Sequence, residues 1–316
     1  MRLDHLSVKI SHRLLQAGIA ENYLESQLLI CKALDITKEN YYAQFQNHVQ
    51  QDDVNSINLL VARRINREPL PYICGYREFY GLDLYVDSRV LIPRQETEII
   101  VDKAIKFLKS KSCKPQKLKI LDLGTGSGAM AIALARFFPD AIIYATDVSI
   151  DALQVAKINC FAHNVDQAVN LICLDGLTGF ATEVDLVLAN PPYLSEKEMF
   201  EVQPELLFEP KLALYGGMEG WEKSVELIES TCQILNDGGK AFFETSPERI
   251  DSISKKIAKN IKEDISNFDL LYEIIKKQNI DLVIVGPEQP LVDGLVDFLN
   301  EKKVKVFGPN RFVSQL

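Results

Sequence analysis

A glycine-rich stretch between an apolar run and a helix-forming run constrains the fold of this chain more than any other feature. The apolar run KLKILDL (117–123) leads into GTGSG (124–128), and AMAIALARFF (129–138) follows. Glycine tolerates positive φ and lets the backbone come close to a ligand, so the pattern predicts a strand, a ligand-binding turn and a helix. The spacing also satisfies the G-x-G-x-x-G/A pattern of a dinucleotide site, and a third interpretation is a turn without a ligand.

Strand-like and helix-like segments alternate on either side of this turn, up to about residue 246. Short apolar runs are each followed by a longer segment whose apolar residues recur three and four positions apart. Parallel strands need such crossover helices, so the alternation predicts an α/β fold, a doubly wound, Rossmann-like parallel sheet with helices on both faces. The further expected strands are AIIYATD (141–147), NLICLD (170–175), EVDLVLA (183–189) and GGKAFFETS (238–246). The expected helices are SIDALQVAKINCFAHN (149–164) and WEKSVELIESTCQIL (221–235).

The first 70 residues predict a small helical domain. Apolar residues three and four positions apart are expected to place one face of each helix against its neighbours. Pro69 and Pro71 are expected to end the helical region, since proline does not fit a helix interior. The apolar positions that carry this prediction are Leu14, Leu15, Ile19, Leu24, Leu28, Leu29, Ile30 and Leu34.

A linker is expected between the helical domain and the sheet. The segment after residue 70 is rich in aromatic and β-branched residues, and Gly75 and Gly81 are turn signals, so it predicts a β-hairpin. TEIIVDKAIKFLKS then predicts a helix that opens the next domain. The expected domains are a helical domain at 1–70, a hairpin linker at 71–94, a catalytic domain at 95–263 and an atypical tail at 264–316.

Charge and cysteine usage exclude several functional classes. The 35 basic and 44 acidic residues give a net charge of −9, whereas a nucleic-acid-binding protein normally carries a basic domain or stripe. The chain contains no apolar run near the roughly 18 residues that span a bilayer, and its first residues lack a signal-peptide core, so a cytoplasmic protein is expected. The scattered cysteines predict reduced thiols and no metal site: Cys31, Cys74, Cys113, Cys160, Cys173 and Cys232.

Two aspartates lie where expected strands end. Asp147 closes the strand after the glycine turn, where a carboxylate can accept hydrogen bonds from both hydroxyls of an adenosine ribose. NAD and S-adenosylmethionine share that ribose, so Asp147 does not choose between them. Asp175 closes the next strand and could accept from an adenine amino group, although a helix cap or a turn residue is an equal interpretation. A solvated loop aspartate is the alternative for Asp147.

The segment Asn190-Pro191-Pro192-Tyr193 favours S-adenosylmethionine over NAD as the cofactor. It follows the apolar strand VDLVLA, so it lies at the sheet edge where doubly wound folds bind ligands. The Asn190 side-chain carbonyl and the Pro191 backbone carbonyl can both accept from one planar –NH2 group, and the Tyr193 ring can cover it. Such a pocket suits methylation of an amide or an aromatic amine, because orientation and hydrogen bonds favour a tetrahedral nitrogen. A plain turn is the other interpretation.

The sequence resembles the release-factor glutamine N5-methyltransferases (PrmC/HemK) over about residues 1–245. ILDLGTGSGAMAIALA and ANPPY are shared with many S-adenosylmethionine-dependent methyltransferases, whereas three other stretches are more specific to this family. The resemblance implies a class I methyltransferase fold, a helical domain that docks the protein substrate, and release factors as partners. The three specific stretches are REPLPYICGYREFYGLDLYVD, VLIPRQETE and FEPKLALYGGMEG.

The resemblance also assigns site residues by position. For S-adenosylmethionine binding they are Gly124, Thr125, Gly126, Ser127, Gly128, Asp147, Gly176 and Asn190, to which the strand-end argument adds Asp175. The glutamine pocket comprises Asn190, Pro191, Pro192 and Tyr193, and the residues expected to act in catalysis are Asn190, Pro191 and Tyr193.

The last 53 residues do not fit that family. From about Asp264 the sequence resembles part of the N-terminal domain of phosphoribosylamine–glycine ligase, notably in IDLVIVGPEQPLVDG and KVFGPN. The resemblance stops before any ATP-grasp region, so no ligase activity is expected, and a chimeric or frame-disrupted gene is the plainest account. The pattern predicts helix, strand, helix, strand. The two strands are expected either to cover the edge of the sheet or to form a small satellite.

Three functions therefore remain open at this stage. The first is glutamine methylation of release factors by a monomeric enzyme. The second is N6-adenine methylation of nucleic acid, which uses the same pocket chemistry but conflicts with the net charge of −9. The third is an inactive remnant, because the end of the catalytic sheet is replaced.

Overall fold

Five parallel strands form the central sheet. In chain order they are β3 (Lys119–Leu123), β4 (Ile142–Asp147), β5 (Val169–Cys173), β6 (Val184–Ala189) and β9 (Leu235–Phe243), and their order across the sheet is β5-β4-β3-β6-β9. The order reverses direction between β3 and β6, and ligands of doubly wound folds bind at the carboxyl ends of strands beside such a reversal. In the register of β3 and β6, Leu123 lies opposite Ala189, so the glycine turn and Asn190 emerge next to each other. The predicted fold class is confirmed.

Both faces of this sheet are buried under helices. Neighbouring residues of β3 point to opposite faces, so Ile120 packs into one hydrophobic cluster and Leu121 into another, and both are fully buried. The strands are apolar on both faces because helices cover both, as in other parallel sheets. The helices of this domain are α6 (Glu98–Lys111), α7 (Ala129–Phe137), α8 (Ile150–Ala162), α10 (Glu222–Thr231) and α11 (Pro247–Ile257).

The N-terminal residues form the predicted helical domain around its own core. Leu14 and Ile19 are buried in this core, as the spacing predicts. Leu15 and Leu24 are exposed, so the prediction that they belong to the packed face is wrong. Apolar spacing alone makes the buried stripe too wide, because a helix of this small bundle buries only its innermost positions. The four helices are α1 (Leu3–Gln16), α2 (Asn22–Leu34), α3 (Lys38–Ala43) and α4 (Gln51–Ile65).

A short helix and the hairpin connect this domain to the sheet. The helical region does not end at Pro69 and Pro71, because α5 (Leu70–Cys74) begins there with Pro69 as its N-cap. Proline is tolerated in the first turn of a helix, where backbone N–H groups lack intrahelical partners. The predicted hairpin is confirmed but shorter: β1 (Tyr76–Phe79) pairs antiparallel with β2 (Leu82–Tyr85).

A second small sheet lies between β6 and β9 in the chain. The two-residue strand β7 (Leu194–Ser195) pairs in parallel with β8 (Tyr215–Gly217). Between them lie α9 (Glu196–Glu201) and two 3-10 turns, Pro204–Phe208 and Lys211–Ala213. The segment from β7 to β8 follows the N-P-P-Y residues directly and forms one wall of the site described below.

The computed structural model describes residues 1–111, 117–257, 267–277, 283–284, 293–304 and 306–307. The chain divides into two compact units, Met1–Ile257 and Ala258–Leu316. Cys113 lies outside the described residues, whereas the other five cysteines are free thiols. In the described ranges no helix is long and apolar enough to cross a bilayer.

The second unit contains a helix, a strand, a helix and a strand in the predicted order. Its two strands pair with each other in parallel as a two-stranded sheet. Ile275 and Leu299 belong to a small core of this unit. The remaining residues of the predicted tail segments, 278–282, 285–292, 305 and 308, lie outside the described ranges. The elements are α12 (Phe268–Lys277), β10 (Val283–Ile284), α13 (Leu295–Glu301) and β11 (Val306–Phe307).

Candidate active site

The glycine turn is held to the neighbouring strand by backbone hydrogen bonds. The N–H groups of Gly124 and Thr125 both donate to the Thr146 carbonyl, at 2.9 and 2.8 Å. Gly124 has φ +74° and Gly126 has φ +56°, which side chains rarely adopt, and a Cβ added to either glycine would meet nothing within 4 Å. The turn therefore leaves open space above its backbone, and this space is where a ligand fits.

The Asp122 side chain accepts hydrogen bonds that hold the glycine turn in place, a role that the sequence analysis missed. Its Oδ2 accepts from the Thr125 hydroxyl at 2.7 Å and from the Ala131 N–H at 3.1 Å, so it joins the turn to the first residues of α7. The side chain is fully buried, and burial raises the pKa of Asp122 to about 6. Its apolar neighbourhood in the strand gave no local sign of this role.

Asp147 joins the end of β4 to the same turn. Its Oδ2 accepts from the Gly126 N–H at 2.9 Å, and its Oδ1 accepts from the Ser149 N–H at 2.9 Å. Burial raises the pKa of this carboxyl group, although these backbone hydrogen bonds oppose the shift. Each carboxylate oxygen keeps a lone pair, so Asp147 can still accept from a ribose hydroxyl.

A cavity of about 250 Å³, here called the donor cavity, lies above the turn. Gly124, Gly126, Asp147 and Asn190 line it, together with apolar side chains such as Leu227. An open glycine backbone, a strand-end carboxylate and apolar walls fit the adenosine and sulfonium portions of S-adenosylmethionine. Asp175, Gly176, Pro191 and Pro192 are further lining residues.

Three of the predicted cofactor residues lie behind the turn and not in the lining of the donor cavity. Thr125 is buried against Asp122, and Ser127 is buried with its carbonyl accepting from Asn159 Nδ2 at 2.9 Å. Gly128 has φ +84° at the start of α7, and a Cβ there would lie 3.0 Å from Ile132 Cδ1 and 3.3 Å from Ala156 Cβ, so glycine is favoured at this position. These positions shape the turn, and their cofactor contacts stay a prediction.

Replacing Asp147 with alanine is expected to weaken S-adenosylmethionine binding by about 2 kcal/mol, because two ribose hydrogen bonds of about 1 kcal/mol each are removed. Asp175→Ala is the matched comparison: its side chain is 74% exposed and lies 3.9 Å from Lys223, so its loss is expected to cost less. Calorimetric titration of both variants measures the difference. Equal affinity of Asp147→Ala and the parent protein would refute the ribose assignment.

Asn190 follows β6 at the boundary between two cavities. Its Nδ2 donates to the Thr97 hydroxyl at 3.1 Å. Tyr193 lines the second cavity, of about 590 Å³, which we call the acceptor cavity, and burial raises the pKa of its hydroxyl. Pro191 and Pro192 line the donor cavity instead. The structure therefore divides the predicted glutamine pocket: its asparagine borders both cavities, its prolines one and its tyrosine the other.

The acceptor cavity is acidic. Its lining includes Glu198, Glu201, Glu205 and Glu209, and among the described residues Arg94 is the one basic side chain in it. Glu209 is buried, with Oε1 accepting from Arg94 Nη2 at 2.6 Å and Oε2 accepting from the Ile92 N–H at 3.1 Å. Two of the family-specific stretches, VLIPRQETE and FEPKLALYGGMEG, are thus joined at the cavity wall.

Gly216 supports the N-P-P-Y loop from the second small sheet. A Cβ at this position would lie 2.4 Å from the Pro192 carbonyl oxygen and 2.8 Å from Tyr193 Cα. Both are backbone atoms, so a larger residue must displace the loop. This close approach explains the first glycine of the pair in ALYGGMEG, whereas the second, Gly217, has φ +122° and lies against Glu222.

Gly216→Ala is therefore expected to lower the turnover of methyl transfer on the order of tenfold, because small displacements of a reacting group cost much of the rate. In the donor cavity only Pro191 and Pro192 are expected to shift. The affinity for S-adenosylmethionine is therefore expected to change less than the turnover. Steady-state kinetics and calorimetry on one preparation compare the two effects. Parental turnover with a folded variant would show that the loop tolerates the shift.

Three family models match the chain. The model "Methyltransferase small domain" matches residues 97–217, "PrmC N-terminal domain" matches 6–75, and "Phosphoribosylglycinamide synthetase, N domain" matches 250–316. The first covers β3 to β8 and most of the residues that line the two cavities. With the donor cavity at the strand reversal and Asn190 between the cavities, the chain is an S-adenosylmethionine-dependent methyltransferase of the class I fold.

Sequence relatives narrow the class to a family. A release factor glutamine methyltransferase of Rhodopirellula baltica is 35% identical over 238 residues, covering 74% of this chain and 80% of the relative. That of Geobacter sulfurreducens is 34% identical over 232 residues, covering 73% and 79%. The chain belongs to the release factor glutamine methyltransferase family, as the resemblance of the sequence implies.

Other matches are partial. A bifunctional methyltransferase of Rickettsia bellii is 28% identical over 337 residues, and this chain spans 61% of its length. Among solved structures, a methyltransferase from Pyrococcus furiosus has a TM-score of 0.39 at 23% identity over 58% of this chain and 84% of that one. An S-adenosylmethionine-dependent methyltransferase from Agrobacterium tumefaciens has a TM-score of 0.41 at 14% identity over 58% and 56%.

Proposed function

We propose that the chain transfers a methyl group from S-adenosylmethionine to the side-chain amide nitrogen of a glutamine in a peptide chain release factor. The observation that carries this proposal is the position of Asn190, which borders both the donor and the acceptor cavity. A group held in one cavity and an amide held in the other meet at this residue. Family membership supplies the identity of the protein substrate.

When bound, S-adenosylmethionine supplies an electrophilic methyl group on a sulfonium centre. The residues of the chain do the remaining work. Asn190 Oδ1 and the Pro191 carbonyl accept hydrogen bonds from the substrate –NH2, which turns its lone pair toward the donor cavity. The Tyr193 ring covers the amide on the side of the acceptor cavity. Held by Gly124, Gly126 and Asp147, S-adenosylmethionine would supply its methyl group to the amide nitrogen and keep the electron pair of the C–S bond as a neutral thioether, and the nitrogen would lose one proton to solvent.

The walls of the acceptor cavity favour a protein substrate over nucleic acid. Four glutamates line this cavity, and arginines pair with three of them, Glu198, Glu205 and Glu209. The whole chain carries a charge of −9. Arg94, the basic residue of the described lining, is already paired with Glu209, so this wall offers a phosphate backbone no free cation. We further propose that the helical domain docks the release factor, and that the enzyme acts as a monomer in the cytoplasm.

Incubation with methyl-labelled S-adenosylmethionine tests this function. Unmethylated release factor is expected to take up label, mass spectrometry is expected to locate it on one glutamine, and a release factor with that glutamine replaced by alanine is expected to stay unlabelled. Adenine-containing DNA and RNA serve as the competing substrates. Label on nucleic acid would assign the adenine reaction instead, and no label on any substrate would indicate an inactive remnant.

A further inference from the structure

The side chain of Asn190 has two possible orientations, and only one suits the proposed reaction. The amide oxygen must face the substrate –NH2, since an –NH2 group there would oppose another donor. In the structure the nitrogen, Nδ2, donates to Thr97 Oγ1 at 3.1 Å. Thr97 is only 5% exposed and ends the 3-10 turn Gln95–Thr97, just before α6. The oxygen of Asn190 is therefore left for the cavity.

The carboxyl group of Glu244 lies near Asn190 and Thr97. Glu244 directly follows β9, where its backbone N–H donates to the Ala189 carbonyl at 2.9 Å, so it lies beside the residue preceding Asn190. Its Oε2 is buried and has no hydrogen-bond partner within the described ranges. Burial and the nearby Glu96 raise the pKa of Glu244, while hydrogen bonding from Thr97 and Asn190 and the charge of Arg94 oppose the shift.

We propose that Thr97 and Glu244 are positioning residues that fix the orientation of the Asn190 amide. This inference rests on the proposed function. A hydroxyl that accepts from Nδ2 still has its own hydrogen, and the neighbouring carboxylate is the acceptor for it. Turned over, the Asn190 amide would bring its oxygen against Glu244, where two acceptors repel each other.

Neither positioning residue is among those that line the donor or the acceptor cavity. Thr97 and Glu244 therefore act through Asn190 and not on the substrate or the methyl donor. Their loss is expected to lower kcat while leaving the affinity for S-adenosylmethionine and the KM for release factor within about twofold. Losing one hydrogen bond that orients a reacting group corresponds to about a tenfold fall in kcat.

Thr97→Val and Thr97→Ser form the first matched pair. Valine keeps the branched shape without the hydroxyl, so kcat is expected to fall about tenfold, whereas serine keeps the hydroxyl and is expected to restore most of the rate. In an Asn190→Ala background Thr97→Val is expected to have no further effect, because nothing is left to orient. Parental kcat in Thr97→Val, or an equal loss in Thr97→Ser, would overturn the proposal.

Glu244→Gln and Glu244→Leu form the second pair, with Glu96→Gln as the control for charge. Glutamine retains an acceptor oxygen for the Thr97 hydroxyl, so it is expected to keep more of kcat than leucine. Glu96 is exposed and near the same carboxylate, and its replacement is expected to leave kcat unchanged. Equal rates of Glu244→Leu and the parent, or a loss in Glu96→Gln as large as in Glu244→Leu, would remove Glu244 from the proposal.

A measurement without substrate separates this inference from the proposed function. In ¹⁵N–¹H spectra the side-chain –NH2 signals of Asn190, assigned by their loss in Asn190→Asp, are expected to move in Thr97→Val and to return in Thr97→Ser. This outcome is independent of whether release factor is methylated. If the Asn190 signals do not move in Thr97→Val, Thr97 does not fix the orientation of the Asn190 amide, even if the enzyme is active. If they move while release factor stays unmethylated, only the proposed function fails.

Discussion

Asn190→Ala is expected to lower the turnover of methyl transfer about 100-fold, because a preorganised polar partner of the reacting group is lost. Asn190 borders both cavities, so no other side chain of the N-P-P-Y segment can replace its oxygen at the boundary. The affinity for S-adenosylmethionine is expected to fall only modestly, since Gly124, Gly126 and Asp147 remain in the donor cavity. Single-turnover assays and calorimetry measure the two quantities separately.

Asn190→Asp is the informative control for this prediction. A carboxylate still accepts from the substrate –NH2, and the Thr97 hydroxyl can donate to it, so measurable activity is expected. The new charge lies near Glu244, which is expected to keep the rate below that of the parent. If Asn190→Ala methylates at the parental rate, the pocket is not the N-P-P-Y segment, and both enzymatic functions considered for this chain fail together.

The parts of the site that follow strand ends could be predicted from the sequence. Asp147 and Asn190 come directly after apolar runs, and parallel strands bring their carboxyl ends to one edge. The glycine turn carries its own signal, because positive φ at Gly124 and Gly126 favours glycine. These are local features, and a local pattern is enough to reveal them.

The contacts behind Asn190 could not be predicted in this way. Thr97 lies 93 positions before Asn190, in a stretch whose pattern predicts only the start of a helix. Glu244 follows a strand, as Asp147 does, but nothing local distinguishes it from a solvated residue. Such contacts depend on how β6, β9 and the 3-10 turn pack together, so they appear only in three dimensions.

Burial in the helical domain shows the same limit. The spacing predicts that Leu14, Leu15 and Leu24 lie on the apolar faces of their helices, yet of these three only Leu14 is buried. Arg64 is buried as well, on the same face of α4 as Ile57 and Val61, and the sequence analysis did not single it out. A long side chain can be buried where opposite charges surround it, and the positions of those charges were not visible in the sequence.

Arg64→Ala is expected to destabilise the chain by about 3 kcal/mol, because removing one partner of a buried ion pair leaves the other charges uncompensated. Arg64 Nε donates to Glu25 Oε2 at 2.6 Å, and Nη1 donates to Glu205 Oε1 at 3.0 Å. Burial opposes ionisation of Glu205, but hydrogen bonds, including those from Arg64 and Arg67, hold its pKa below the usual value. Chemical unfolding followed by circular dichroism measures the change.

The neighbouring Arg63 provides the matched control. Its side chain is 44% exposed, against 8% for Arg64, and it pairs with Glu68 at 2.6 Å, so Arg63→Ala is expected to cost less than about 1 kcal/mol. Glu205 lies in the 3-10 turn that lines the acceptor cavity, so Arg64 also ties the helical domain to the wall of the site. Arg64→Ala is therefore expected to raise the KM for release factor, whereas Arg63→Ala is not. Equal stability of the two variants would show that burial adds nothing to this ion pair, and an unchanged KM in Arg64→Ala would show that the acceptor cavity keeps its shape without the Arg64–Glu205 contact.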